Sequence, residues 1–187
     1  TTAKNLEGFI NSVRDNKGYY IARYEASYRA NGKAASKVST ATRTSSSATL
    51  TEGMLWNCIR QGDAATACQN LYSTINSDLM NSYAWDTAIV YIQAMGNTNY
   101  ANANRGSNTS LMNTGATGDQ KCKIFDMAGN EREWTTEYSS YTDSSNARPC
   151  VNRGGYYNFS DDFTSYRNYV IATSSINVIS FRPTLYL

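Results

Sequence analysis

The stretch MAGNEREWTTEY, which spans residues 127–138, joins a turn to a strand. Its first half is a turn by composition, because Gly129 and Asn130 suit left-handed backbone conformations. Its second half, EREWTTEY, has the aromatic and β-branched content of a strand, and Trp134 is expected to lie in the core. From Cys122 onward the sequence therefore predicts short strands and turns.

Upstream of this stretch, three segments have apolar side chains at helical spacing. They are residues 4–14, residues 51–73 and residues 78–95, and the last has the clearest pattern. Ser77 or Asp78 is expected to be the N-cap of this last helix. The face of the helix that is expected to contact the core consists of Leu79, Tyr83, Ala84, Ala88, Tyr91 and Ile92.

A strand and two long loops complete the predicted organisation. Residues 20–25 alternate in residue type, which is typical of a strand. Residues 31–49 and 96–119 are rich in small and polar residues and are predicted to be long loops. Since no repeat or linker divides the chain, we expect one α+β domain over residues 1–187.

Length and composition limit the functions that this chain can have. Its 187 residues make about one domain, long enough to bury a sizeable core. A net charge of +2 does not indicate nucleic acid as a partner. No apolar run approaches the roughly 20 residues that span a bilayer, so no membrane insertion is expected. The absence of histidine excludes Ser-His-Asp catalysis and HExxH zinc sites.

The four cysteines permit two interpretations. They are Cys58, Cys68, Cys122 and Cys150, and no C-x-x-C spacing occurs among them. Sequence order suggests disulfides Cys58–Cys68 and Cys122–Cys150, one of three connectivities, which would imply an oxidising compartment. Four free thiols, packed as small apolar side chains, are the equal alternative.

Tyrosine is concentrated near the C-terminus. Residues 156–180 contain 4 Tyr, 5 Ser, 3 Asn and 2 Asp, together 14 of 25 positions. Tyr provides rigid, amphipathic contact area, while Ser and Asn provide adaptable hydrogen bonds, a combination typical of binding surfaces. The alternative is an ordinary tyrosine-rich pair of strands that faces solvent.

We expect the binding surface within residues 152–182, called here the C-terminal segment. Its ends are expected to be fixed by residues 153–155 (RGG) and by Phe181 and Arg182, because Gly permits close backbone approach and Arg bridges several acceptors. The expected aromatic contacts are Tyr156, Tyr157, Tyr166 and Tyr169. The expected polar contacts are Asn158, Ser160, Asp161, Asp162, Ser165, Asn168, Thr173, Ser174, Ser175 and Asn177.

Four motifs together resemble a known family. They are GYYIARYEAS at residues 18–27, MAGNEREWTTEY at 127–138, NRGGYYN at 152–158 and YRNY…ISFRP at 166–183, in this order. As a set they resemble the formylglycine-generating enzyme family, also called the sulfatase-modifying-factor domain. The resemblance implies an α+β, C-type lectin-like fold with small antiparallel sheets, two main helices and long irregular loops.

The chain departs from the oxidases of that family at the residues that carry their chemistry. Those enzymes bind copper through two cysteines in the corresponding segment, whereas residues 166–180 contain none. Copper(I) needs a thiolate, which Tyr, Asn or Ser cannot replace. We therefore expect a non-catalytic scaffold without catalytic residues, with a divergent oxidase as the alternative.

Calcium is the one cofactor that the resemblance suggests. In calcium-binding relatives the ligands include an Asn and a Glu that match Asn130 and Glu133, and oxygen ligands suit a hard cation. Two side chains are a small ligand set, and Glu133 has a second interpretation as the ion-pair partner of Arg182 or Arg153. No cofactor or metal is the favoured expectation.

The chain resembles most closely the variable proteins of diversity-generating retroelements, which occur in phages, bacteria and archaeal viruses. Adenine-directed mutation diversifies the C-terminal segment of those proteins toward Tyr, Ser, Asp, Thr, Ala, Ile, Val, Phe and other types. The types of this repertoire account for all of residues 156–180 here except Arg167. The resemblance implies a diversified surface that recognises a protein or surface receptor, on a virion tip or a cell surface. A tip module with one fixed partner is the alternative.

Overall fold

The computed structural model describes residues 6–186, which form a mixed α+β structure. Within these residues the helices are α1 (Leu6–Asp15), α2 (Gln61–Gln69) and α3 (Ser82–Ala94), followed by a 3-10 turn at Tyr100–Asn102. The first predicted helix is confirmed from residue 6, and residues 4 and 5 lie outside the described part. None of these helices is long and apolar enough to cross a membrane.

The strands are short, and most of them lie in the C-terminal half. They are β1 (Tyr20–Ile21), β2 (Ser27–Arg29), β3 (Lys33–Ala35), β4 (Asn76–Leu79), β5 (Gln120–Lys121), β6 (Ile124–Phe125), β7 (Arg132–Tyr138), β8 (Thr142–Asp143), β9 (Asn146–Ala147), β10 (Cys150–Arg153), β11 (Arg167–Val170), β12 (Ile179–Phe181) and β13 (Pro183–Tyr186). The strand predicted from EREWTTEY is confirmed as β7, the longest of them. The strand predicted over residues 20–25 is limited to β1.

Seven of these strands form two sheets, and the other six form the pairs β2-β3, β5-β6 and β8-β9. The larger has the order β11-β10-β7-β12, and the smaller has the order β1-β13-β4. The expectation of purely antiparallel sheets is wrong at one pair, because β12 runs parallel to β7. After β12 the chain passes through Arg182 alone before it enters β13, so this residue connects the two sheets.

Helices α2 and α3 begin later than predicted, and α2 also ends earlier, at Gln69 instead of residue 73. Residues 51–60 are not helical, because their backbone bonds to that of the neighbouring segment: Tyr28 N donates to Met54 O and Trp56 N to Ala26 O. Residues 76–79 are strand β4 rather than the beginning of α3, because they pair with β13. The N-cap of α3 is therefore Asn81, whose Oδ1 accepts from Ala84 N at 2.8 Å. The resemblance implied two main helices, and the described residues contain three.

Two hydrophobic clusters form the core. In the first, α3 contributes Ala84, Trp85, Ala88, Ile89 and Ile92. Tyr83 and Tyr91, which were expected on this inner face, are exposed instead.

The second cluster lies against the four-stranded sheet. It includes Trp134 on β7 with Ile179 and Phe181 on β12, so the core position predicted for Trp134 is confirmed.

The turn before β7 depends on two residues for different reasons. Asn130 has a φ of +62°, so it carries the left-handed conformation. Gly129 has no left-handed φ, but a Cβ there would lie 2.8 Å from the Cα of Arg105. The left-handed conformation expected at Gly129 is therefore wrong, and this glycine serves close packing instead.

The four cysteines are free thiols, so the disulfide interpretation is wrong, and the alternative of buried free thiols holds for Cys68 and Cys150. Cys122 packs against the core cluster of α3, whereas Cys150 belongs to the other cluster. Cys68 is buried in α2, and desolvation raises the pKa of its thiol well above the usual value. Cys58 is only partly buried.

Candidate binding face

The first end of the C-terminal segment is closely packed. Arg153, at the end of β10, is buried, and its Nε donates to Tyr166 O at 3.0 Å while its Nη2 pairs with Asp86. Gly154 has a φ of +82°, and a Cβ there would lie 2.6 Å from Met127 O. A Cβ on Gly155 would lie 2.5 Å from Ala128 O. At Gly154 and Gly155 the backbone thus packs so closely against its neighbours that a side chain would not fit.

The second end is held by a buried arginine. The Arg182 side chain is fully buried, and its Nε donates to Glu133 Oε2 at 2.6 Å. Its Nη1 donates to Ala22 O at 3.0 Å and its Nη2 to Phe125 O at 2.8 Å. Burial lowers the pKa of Arg182, but the Glu133 carboxylate outweighs this effect, so the pKa is raised and the guanidinium stays charged.

Both ends meet the same residue of the sheet. Arg153 on β10 lies opposite Glu133 on one side of β7, and Ser180 on β12 lies opposite Glu133 on the other side. The two ends of the C-terminal segment, on β10 and on β12, are therefore attached to β7 at a single level, which fits the prediction of fixed ends. Between them the segment also forms β11, which pairs with the outer side of β10.

The two residues suggested for calcium do not fit a cation. Glu133 has both carboxylate oxygens bonded to the Arg182 guanidinium, which repels a metal ion at the same place. Asn130 Nδ2 donates to Glu25 Oε2 at 2.6 Å, and its Oδ1 accepts from Met112 N at 3.0 Å. Within residues 6–186 no group of three or more acidic or cysteine side chains has the arrangement of a metal site. The ion-pair interpretation of Glu133 is confirmed with Arg182 as its partner.

Four aromatic side chains of the segment cluster near Arg132, and we call them the aromatic patch. Two of them lie by the Arg132 guanidinium, and the other two pack against the Tyr156 ring. The patch consists of Tyr156, Tyr157, Phe159 and Tyr166.

The guanidinium of Arg132 orders this patch. It lies 4.1 Å above the ring of Tyr156 and 5.8 Å from the ring of Tyr166. The Tyr156 ring stacks with Phe159, whose side chain is 46% exposed. Such contacts order the rings before any partner binds.

Asp162 does not belong to the exposed surface, contrary to the prediction. It is only 1% exposed, and it accepts from Arg132 Nε at 2.7 Å. Its neighbour Asp161 is exposed, as predicted. The buried carboxylate therefore supports the aromatic patch from below through Arg132.

A second part of the face forms around β11. Tyr169 packs against Tyr141 with ring centroids 4.9 Å apart, beside a shallow cavity of about 360 Å³. Asp143 and Arg148 also line this cavity and form an ion pair of 2.9 Å. Because Tyr141, Asp143 and Arg148 precede the C-terminal segment, sequence reasoning missed them. Tyr141, in the polar loop after β7, was the only feature of the sequence that could have indicated this part of the face.

The end of the segment is tied to the loop that follows β3. Asn177 Nδ2 donates to Thr44 O at 2.7 Å, and Asn177 O accepts from Asn57 Nδ2 at 3.3 Å. The Nδ2 group of Asn177 is therefore engaged with the chain itself, and Asn177 as a contact stays a prediction. Thr173 and the apolar Ile171 are exposed, whereas Ser174 and Ser175 are half-buried.

The predicted contacts thus fall into three groups. Those that are exposed are Asn158, Ser160, Asp161, Ser165, Tyr166 and Thr173. Those that are half-buried are Tyr156, Tyr157, Asn168, Tyr169, Ser174, Ser175 and Asn177, and only Asp162 is buried. The prediction overlooked the exposed Phe159 and Phe163, although both have the aromatic composition of the same stretch.

Below the face lies a set of buried carboxylates. Glu25, Glu131 and Glu133 are at most 1% exposed, as is Asp126. Glu131 Oε1 accepts from Asn57 Nδ2 at 2.5 Å, but Oε2 has no hydrogen-bond partner among residues 6–186. Desolvation raises the pKa of Glu131 and of Glu25 well above the usual range for Glu, so both favour the protonated form.

Comparisons with known proteins show a likeness of fold. No protein-family model matches the chain, and no curated protein matches it in sequence. Among solved structures, PvdO from Pseudomonas aeruginosa is similar with a TM-score of 0.53 and 13% identity. The similarity covers 100% of this chain and 77% of PvdO. At this identity the two proteins share an overall fold, and nothing more follows for function.

Proposed function

We propose that this chain is a non-catalytic binding protein that recognises a protein or a surface receptor through its C-terminal segment. We further propose that its scaffold is the C-type lectin-like fold of the formylglycine-generating enzyme type. One observation carries the proposal: exposed Tyr, Phe, Ser and Asn side chains lie between two ends that are closely packed on β7.

The aromatic patch has the chemistry of a recognition surface. Tyr and Phe bring large contact area with few rotatable bonds, so little conformational entropy is lost when a partner binds. Because Arg132 already orders two of these rings, the cost of ordering the patch on binding is reduced further. The neighbouring exposed Asn158 and Ser160 supply adaptable hydrogen bonds.

The same arrangement supports diversification by a retroelement. Side chains such as Asp161 and Ser165 are exposed, so their replacement disturbs no core contact. Asp162 and Thr164, by contrast, are buried and bonded to Arg132 and Ala103. A diversified segment on this scaffold should therefore vary at the exposed positions and keep the buried ones.

Reading the gene and its neighbourhood tests this proposal directly. We expect a near-copy of the codons for residues 152–182 beside a reverse transcriptase gene, with differences almost only at adenines of the copy. The differences should fall at exposed codons and spare Asp162, Thr164 and Asn177. If no such copy exists, diversification is refuted and a tip module with a fixed partner takes its place.

A binding experiment tests the recognition surface itself. A partner is first selected from a display library of surface proteins, and its affinity is then measured for a variant with Ala at Tyr156, Tyr157, Tyr166 and Tyr169. Loss of binding is expected, since buried aromatic contacts dominate interface energies. Tyr91→Ala, at an exposed tyrosine of α3, is the control that should bind normally. Unchanged binding by the fourfold variant would contradict the proposal.

The proposal of a non-catalytic role has its own test. The copper-binding pair of cysteines is missing, because no cysteine lies within residues 166–180. Cys150, which is buried, and Cys58, which is partly buried, both lie outside that stretch. We expect no oxidation of cysteine-containing peptides when the protein is titrated with copper(I) in the presence of oxygen. Turnover that is lost in Cys58→Ser or Cys150→Ser would favour the divergent oxidase.

A further inference from the structure

A cleft of about 530 Å³ opens on a part of the molecule that shares no residue with the binding face. Strands β1 and β13 line it, together with the β2–β3 hairpin, the residues after β3, and Tyr72 after α2. Its volume is within the range of small-molecule pockets. Addition of a peptide strand is not favoured, because β1 has two residues and the next outward carbonyl, Arg23 O, accepts from Phe125 N.

All the charged side chains that line this cleft are positive. They are Arg23, Arg29, Lys33 and Lys37, and among residues 6–186 no Asp or Glu lines the cleft. Within residues 6–186 none of these four cations forms an ion pair. Glu52 accepts from Ala30 N in the hairpin turn, but it does not line the cleft. The cleft therefore concentrates positive charge on a protein whose net charge is only +2.

Two of these cations face each other directly. Arg29 on β2 and Lys33 on β3 are opposite partners in the antiparallel register. Like charges at opposite positions destabilise a hairpin, because their side chains point to the same face at short distance. An anion bound between them would remove this repulsion and gain two charge-assisted hydrogen bonds. The register is thus unfavourable for the empty protein and favourable for an anion complex.

The rest of the lining suits an apolar or ring-shaped body. Tyr20 and Tyr72 are 60% and 51% exposed, although both line a concave surface. Leu185 lies directly opposite Tyr20 on β13, and Pro183 and Ile21 continue the apolar wall. Aromatic and aliphatic side chains beside a few charged groups are the usual composition of a site for a small organic ligand.

We propose that this cleft binds a small organic anion that consists of an aromatic or sugar ring carrying a phosphate or sulfate ester. The ring packs against Tyr20, Tyr72 and the apolar wall, and the oxyanion lies between Arg29 and Lys33. Arg23 and Lys37 add long-range attraction. This inference is independent of the proposed function, because the two sites have no residue in common.

The test uses 1-naphthyl phosphate and 1-naphthyl sulfate as probes in isothermal titration calorimetry. We expect one or both esters to bind, and the comparison between them identifies which oxyanion the site prefers. Neutral 1-naphthol and inorganic phosphate each lack half of the recognised chemistry. They should bind about tenfold more weakly or worse, which corresponds to the loss of one charge-assisted contact or of the ring contact.

Four variants locate the site. Arg29→Gln, Lys33→Gln and Tyr72→Ala should each weaken the binding of the preferred ester by about tenfold. Lys123→Gln is the matched control, since Lys123 is exposed and does not line the cleft. Because Lys33→Gln removes a repulsion, its Tm without ligand should equal or exceed that of the wild type, so weaker binding is not a folding defect.

Three results would overturn the inference. In the first, 1-naphthol or inorganic phosphate binds as tightly as the esters. In the second, Arg29→Gln and Lys33→Gln leave the affinity for the esters unchanged, or Lys123→Gln lowers it equally. In the third, a long polyanion such as heparin binds and neither ester does, which would indicate a surface for macromolecules instead.

Discussion

Glu133 and Arg182 form a fully buried ion pair, in which Arg182 Nε donates to Glu133 Oε2 at 2.6 Å. Glu133 belongs to β7, and Arg182 is the single residue between β12 and β13. The guanidinium also donates to the carbonyls of Ala22 and Phe125, so its donors are shared among separate parts of the chain. One side chain thus joins the two sheets and fixes the end of the C-terminal segment.

Replacing Arg182 with Met should therefore be strongly destabilising. The substitution leaves Glu133 buried beside Glu25, without its compensating cation. Breaking a buried pair from one side typically costs about 3–5 kcal/mol, which urea denaturation would measure as a lower free energy of unfolding. Arg14→Met, in the exposed Arg14–Asp15 pair, is the control and should have little effect. Equal stability of the Arg182 and Arg14 variants would show that the buried pair is dispensable.

Stability should fall as the pH rises above the ordinary pKa of a glutamate. Burial raises the pKa of Glu131 well above its ordinary value of 4.5, so the folded state holds this proton more tightly than the unfolded state does. The resulting stabilisation is fully present below about pH 4.5 and is lost as the pH rises toward the folded-state pKa. Glu25 acts in the same direction.

The variant Glu131→Gln isolates this effect, because Gln keeps the shape and the acceptor for Asn57 but cannot ionise. Thermal unfolding over a range of pH should show a smaller loss of Tm with rising pH than in the wild type. Glu7→Gln, at an exposed position of α1, should leave the slope unchanged. A slope in Glu131→Gln that is as steep as in the wild type would assign the pH dependence to other groups.

Two glycines should respond to alanine with opposite signs. A Cβ on Gly155 would lie 2.5 Å from Ala128 O and 2.6 Å from Asp162 O, so Gly155→Ala should cost about 1–3 kcal/mol through overpacking. Gly62 lies in α2, and a Cβ there would meet no neighbouring atom within 4 Å, so Gly62→Ala should stabilise by up to about 1 kcal/mol. Denaturant midpoints that shift in the same direction for both variants would argue against the close packing at Gly155.

The adjacent Asp161 and Asp162 should also differ in how much their replacement by Ala changes stability. Asp162→Ala removes the buried partner of Arg132 and should lower the free energy of unfolding by about 1–3 kcal/mol. It should also loosen the aromatic patch, which can be followed through tyrosine fluorescence. Asp161→Ala, at the exposed neighbour, should leave stability unchanged. If both substitutions were neutral, the support of the patch by Asp162 would be refuted.

The elements that depend on local residue type and spacing could be predicted from the sequence. The turn and strand around Trp134 and most of helix α3 follow from residue type and spacing, and both occur as expected. The RGG and FRP ends of the C-terminal segment could also be identified, because glycine and arginine at such positions have few uses other than close packing and the bridging of carbonyls.

The features that the sequence did not predict depend on contacts between distant parts of the chain. Residues 78 and 79 were predicted as the start of a helix but belong to β4, since β13 offers this strand a partner from the other end of the chain. Residues 51–60 are not helical, because Met54 and Trp56 bond to the backbone of Tyr28 and Ala26. Asp162 and Asp161 are alike in sequence, and only the position of Arg132 separates the buried one from the exposed one. Sequence spacing contains no information on these contacts.

Residues 154–166 leave the four-stranded sheet beside Glu133 on one side of β7, and residues 167–170 return to it as β11, paired with β10. Residues 171–178 then lead to β12, which lies beside Glu133 on the other side of β7. Neighbouring strands lie about 4.8 Å apart, so the two attachment points are about 10 Å from each other whatever the chain does between them. The entropy of closing a loop grows only with the logarithm of its length. Insertions of different lengths into the exposed turn at residues 171–173 should therefore cost little. With β11 and the buried Asp162 and Thr164 retained, such insertions should make this protein a display scaffold.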